Sequence, residues 1–97
     1  MSDADIPPEF WERADQVIAL ANEQVKGTTI GKVSSSLLYA AARFNSFNVA
    51  SSADDADEMK KDKEEAIRYF TEQYKKMLTE NLDDYIENFE IYQAHGK

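Results

Sequence analysis

The chain has 97 residues, with 11 Lys and Arg against 19 Asp and Glu, a net charge of −8 and no cysteine. This acidity argues against a nucleic-acid backbone or an anionic membrane as a partner, because both would repel the protein. The absence of cysteine excludes disulfides and thiolate chemistry.

The N-terminus is acidic and lacks an apolar core segment, and no later apolar run approaches the length of a bilayer span. We therefore expect a cytoplasmic protein. A chain this short holds one small core, so residues 1–97 are predicted to form a single helical domain, with residues 1–6 and 95–97 flexible.

The first predicted helix starts at Pro7 and Pro8, since proline is tolerated in a helix's first turn. Its apolar residues recur at helical spacing on one side, and it is expected to end near Gly27. The second helix begins at Thr29 or at Ser34, and the sequence leaves this choice open. Its apolar arc covers all but a narrow polar wedge, which holds Arg43 beside Tyr39.

Residues 57–94 carry apolar residues at three- and four-residue intervals and are also predicted to be helical. One straight helix of this length would span roughly 55 Å, too long for the earlier helices to cover. Either it breaks near Thr79 to Asn81, or it continues and packs on a second copy. The predicted fold is thus all-α, a three- or four-helix bundle with a central apolar second helix and a long third helix, continuous or broken.

Three stretches together resemble a known family: PPEFWERADQVIALANEQ, VSSSLLYAAARFNSF and YFTEQYKKMLTENLDDY. They are similar to short proteobacterial proteins grouped as a domain of unknown function, over residues 7 to about 87. The resemblance implies a bacterial cytoplasmic protein and brings no catalytic residue with it.

The residue pattern offers little for catalysis or metal binding. His95 is the single histidine, so no zinc site and no histidine-activated serine is expected, and we predict no metal, no cofactor and no catalytic residue. The acidic link at 51–58 lacks the spacing of a calcium loop and is predicted to be a solvated linker that leads into the third helix.

Two sets of residues are candidates for function. Wheel angles put Asn45 and Asn48 on the apolar side of the second helix, where buried amides need hydrogen-bond partners. The candidate binding cluster is Asp15, Asn22, Arg43, Asn45 and Asn48. The candidate interface at the end of the chain is Leu82, Tyr85, Ile86, Phe89 and Tyr92.

The function that we expect is that of a non-enzymatic helical interaction protein that self-associates as a homodimer. Three alternatives stay open. The weakest is an acidic mimic of nucleic acid, because lysines interrupt the acids of the third helix. The other two are a small-molecule-binding protein that uses the Asn and Asp cluster and a small enzyme that uses paired carboxylates. Both would show a pocket lined by polar groups, whereas an interaction protein would show an exposed apolar patch.

Overall fold

The computed structural model describes residues 6–94, and this part of the chain holds four helices and no strand. They are α1 (Pro8–Val25), α2 (Ile30–Ser51), α3 (Ala56–Glu87) and α4 (Phe89–Ala94). The predicted all-α fold with a long third helix is confirmed. Residues 1–5 and 95–97, including His95, lie outside the described residues. The chain divides into two units, the first ending at Asn48 and the second beginning at Val49.

In the first unit, α1 begins where the sequence predicts. Pro8 is its first residue, and the N–H of Phe10 donates to the carbonyl of Pro7 at 3.0 Å. Near its end, the Lys26 ammonium lies 3.1 Å from the Glu23 carboxylate, with both side chains exposed. An exposed pair of this kind adds little to stability. The backbone then turns through Gly27, whose N–H donates to the Gln24 carbonyl.

The second helix takes the earlier of its two predicted starts. Thr29 caps it: the N–H of Lys32 donates to Thr29 Oγ1 at 3.2 Å, and the N–H of Val33 donates to the Thr29 carbonyl at 3.1 Å. Val33 is the one buried apolar residue among those described, with 7% of its surface exposed. Among the described residues of this unit, no Cα atom of α1 lies within 8 Å of a Cα atom of α2.

The acidic link leads into α3, which begins at Ala56, as the sequence predicts. Asp55 is the N-cap, and its Oδ1 accepts from the N–H of Glu58 at 2.9 Å. Glu58 reaches back, and its Oε2 accepts from the N–H of Asp54 at 3.1 Å. Two N–H groups that have no partner within the helix are thereby satisfied by side chains.

Removing this cap tests the start of α3. We expect Asp55→Ala to lower the free energy of unfolding by about 1 kcal/mol, because the Glu58 N–H loses its acceptor. Denaturant titration at fixed protein concentration measures the change. Asp55→Asn is the matched control and should stay near the unmodified protein, since asparagine caps about as well as aspartate. Equal losses in both variants would contradict a capping role.

The third helix does not break near residue 80. Thr79 Oγ1 donates to the Lys75 carbonyl at 2.7 Å, and Asn81 Nδ2 donates to the Met77 carbonyl at 2.8 Å. These side chains thus bond back to their own helix instead of capping a new one. The alternative of a break at Thr79 to Asn81 is therefore wrong. The helix continues to Glu87 and is interrupted at Asn88, where φ is −113° and ψ is 28°.

Candidate interaction surface

The predicted binding cluster is not assembled within the first unit. Asp15 and Asn22 lie on α1 and are exposed, and no Cα atom of α1 lies within 8 Å of one on α2, which carries the two other amides. On α2, Asn45 is half-buried, whereas Asn48 is exposed. Arg43 is exposed, as its place on the polar wedge predicts. The structure therefore does not bring the two polar sets of this cluster together.

The predicted interface residues lie at the end of the second unit and are mostly exposed. Leu82, Tyr85 and Ile86 lie on the last turns of α3, with 52%, 44% and 71% of their surfaces exposed. Phe89 opens α4 and is also exposed, whereas Tyr92 is half-buried. This terminal strip is a contiguous apolar surface.

Hydrogen bonds among Asp84, Asn88 and Tyr92 surround the interruption at Asn88, and we call this group of three residues the polar clasp. The Asn88 amide donates to Asp84 Oδ1 at 2.9 Å and to the Asp84 carbonyl at 3.1 Å, and the Asn88 N–H donates to that carbonyl at 3.0 Å. Tyr92 donates its hydroxyl proton to Asp84 Oδ2, and its ring stacks on Tyr85 with centroids 4.1 Å apart. Both carboxylate oxygens of Asp84 are thus used, and they hold α4 against the end of α3.

This clasp predicts a pH dependence. The hydrogen bond to Asp84 raises the pKa of the Tyr92 hydroxyl above its usual value of 10.0, with desolvation and the Asp84 charge acting in the same direction. Because the folded pKa is raised, the stabilising bond is complete below pH 10 and is lost as the pH rises through the folded pKa. We expect Tyr92→Phe to remove the latest-titrating tyrosinate from the ultraviolet absorbance titration. If the removed step titrates with the other tyrosines, the bond is not formed in solution.

A longer apolar surface continues from the terminal strip towards the start of α3. At 100° per residue, its side chains fall within an arc of about 120°. We call this surface the α3 stripe, and it consists of Ile67, Phe70, Tyr74, Leu78, Leu82 and Tyr85. All are exposed except Phe70, which is half-buried. The packing of α4 against α3 in this unit involves Asp84 and Tyr85 and leaves the earlier turns of the stripe open.

Sequence reasoning missed two parts of this surface. It limited the interface to the terminal strip, although the helical spacing of Ile67, Tyr74 and Leu78 signals the earlier turns. It also assigned no role to Asp84. The signal for the clasp is the four-residue separation of Asp84 and Asn88, which places an acceptor and a donor one turn apart. The tyrosine that completes the clasp has no comparable local signal.

The described residues support neither a metal site nor a membrane-spanning helix. Across residues 6–94, no group of three or more His, Asp or Glu side chains is placed to hold a metal ion. Over the same range, no helix is both long enough and apolar enough to cross a membrane.

The fold and its open apolar faces define a small all-α protein with an exposed helical surface. The chain belongs to the family described as a protein of unknown function (DUF3144), whose model matches residues 10–86. It is also similar to the protein NB7890A from Shewanella sp., solved by NMR, with 38% sequence identity and a TM-score of 0.74. That match covers 96% of this chain and 99% of the Shewanella chain. A comparison with curated proteins found no match.

Proposed function

We propose that this protein is a non-enzymatic helical interaction protein that self-associates as a homodimer through the apolar surface at the end of α3. The single observation that carries the proposal is the exposure of Leu82, Tyr85, Ile86 and Phe89 on consecutive turns. Monomeric soluble proteins rarely expose contiguous apolar patches larger than about 300–600 Å², and larger ones are typical of interaction sites.

The dimensions of α3 support this reading. The helix has 32 residues and is about 48 Å long, whereas α4 has six residues and covers about 9 Å of axis. Within the second unit, α4 therefore reaches only the last turns of α3. A second copy of the chain supplies an apolar surface of matching length, since it carries the same helix.

Charge and composition support the rest of the proposal. The net charge of −8 disfavours nucleic acid and anionic membranes as partners. The relative from Shewanella sp. supports a bacterial origin. We include in the same proposal that the protein acts as a single domain in the cytoplasm.

Light scattering of the full chain tests the proposal directly. At high micromolar concentration we expect twice the mass of the chain, with dissociation on dilution. A monomer at this concentration would remove the proposal. A stable dimer that persists after the terminal strip is made polar would move the interface to another surface.

A further inference from the structure

The six positions of the α3 stripe are spaced symmetrically along the sequence. Its six positions are separated by three, four, four, four and three residues, a spacing that reads the same in both directions. Ile67 and Tyr85 lie equally far from residue 76. The same holds for Phe70 with Leu82 and for Tyr74 with Leu78. Each of these pairs joins one aliphatic residue to one aromatic residue.

From this symmetry we propose that two copies of the chain pair their α3 helices antiparallel, with the α3 stripe as the shared surface. The two-fold axis crosses the pair at the height of residue 76. The inference rests on the proposed self-association and adds its geometry. A two-fold axis perpendicular to the helices places residue 67 of one copy opposite residue 85 of the other. Each layer of the interface then holds an aliphatic side chain of one copy against an aromatic side chain of its partner.

The parallel arrangement fits these residues less well. It would place Tyr74 against the partner's Tyr74 and Tyr85 against the partner's Tyr85. In each of these two layers, two hydroxyl groups would then meet at the interface. Tyrosine hydroxyls need hydrogen-bond partners when they are buried. In the antiparallel arrangement each tyrosine lies against an aliphatic side chain, Leu78 or Ile67, and its hydroxyl points past it towards the rim.

The distribution of charge along the helix favours the same orientation. Residues 56–76, the first part of α3, contain six basic and six acidic residues and have no net charge, whereas residues 77–94 contain five acidic and no basic residues. Parallel pairing sets the two acidic ends side by side, where like charges repel. Antiparallel pairing sets each acidic end beside the more basic half of the partner, a complementarity that selects orientation.

Because the natural chain has no cysteine, introduced thiols report the orientation without interference. We expect the double variant Ile67→Cys/Tyr85→Cys, treated with a short thiol-reactive cross-linker, to join residue 67 of one copy to residue 85 of the other. These two positions are about 27 Å apart within one chain, too far for a link inside it. Peptide mass mapping identifies the joined positions. The single variant Ile67→Cys should cross-link several-fold less than the double variant.

Links between residue 67 and its own counterpart would overturn the antiparallel geometry and leave the proposed self-association standing. If the protein has a dimeric mass but residue 67 is linked neither to residue 85 nor to residue 67 of the other copy, the interface lies away from the α3 stripe and the inference is overturned. A monomeric mass for the unmodified chain would overturn both. If Tyr85→Cys weakens the fold through the lost stacking on Tyr92, Phe70→Cys/Leu82→Cys repeats the test at the next layer.

Discussion

Leu82→Glu is expected to convert the proposed dimer into a monomer, raising the dissociation constant by about a thousandfold or more. Leu82 belongs both to the terminal strip and to the α3 stripe, and a two-fold interface contains it twice. Each copy loses the burial of a leucine, about 2 kcal/mol, and a carboxylate must also be desolvated. Since about 1.4 kcal/mol corresponds to a tenfold change, two copies account for this loss of affinity. Sedimentation or light scattering over a dilution series measures it.

Tyr69→Glu is the control for this substitution. Tyr69 is also an exposed apolar residue of α3, but it lies about 140° round the helix from Leu82. The control introduces the same charge into the same helix and should leave the dissociation constant nearly unchanged. Because Leu82 is exposed within its own chain, helical content by circular dichroism should be retained in both variants. Equal loss of affinity in both would mean that added negative charge, and not the stripe, controls association.

Val33→Asp is expected to give the largest loss of stability in the first unit. Val33 is 7% exposed, so an aspartate there loses its hydration without gaining a partner, and the free energy of unfolding should fall by about 3 kcal/mol or more. Ile30→Asp is the control, since Ile30 lies in the same first turn of α2 and is 68% exposed. Both variants place an acid near the same helix N-terminus, so the helix dipole affects them alike.

Thermal or denaturant unfolding at one fixed protein concentration separates these effects, because the stability of a self-associating protein depends on concentration. Ile30→Asp should change the unfolding free energy by less than about 0.5 kcal/mol, as is usual for surface substitutions. Similar losses in the two variants would show that Val33 is not covered in solution.

Helix positions were predictable because the signals for them are local. Pro7 and Pro8 mark the start of α1, and the polar residues Thr29 and Asp55 can each accept from the N–H three positions on. Periodicity then carries each helix to its end. Such signals need only neighbouring residues, so a single sequence contains them in full.

The interruption of α3 was harder to predict, because the same polar side chains can either cap a new helix or bond back to a carbonyl of their own helix. Thr79 and Asn81 are suitable N-caps, yet both donate to carbonyls one turn back, so the helix continues past them. At Asn88 the same kind of side chain accompanies a real interruption, and there Tyr92 also reaches Asp84 from the following helix. This contact joins residues eight positions apart, beyond the range of capping rules.

The candidate binding cluster shows a different limit. A helical wheel indicates which side of α2 carries Asn45 and Asn48, but it does not say whether α1 covers that side. In the structure no Cα atom of α1 lies within 8 Å of one on α2, so Asp15 and Asn22 remain apart from the amides. Facing residues on separate helices are set by packing, which periodicity alone does not determine.

The six-residue length of α4 has a consequence for the exchange of its amide hydrogens with solvent. An isolated helix this short is unstable in water, because nucleation costs more than so few hydrogen bonds return. Its helical order therefore depends on the hydroxyl of Tyr92 and on the stacking against Tyr85. The amides near Tyr92 should thus open together when these two contacts break. Their deuterium uptake would report the contacts of Tyr92, while the amides in the middle of α3 would exchange with the unfolding of the whole helix.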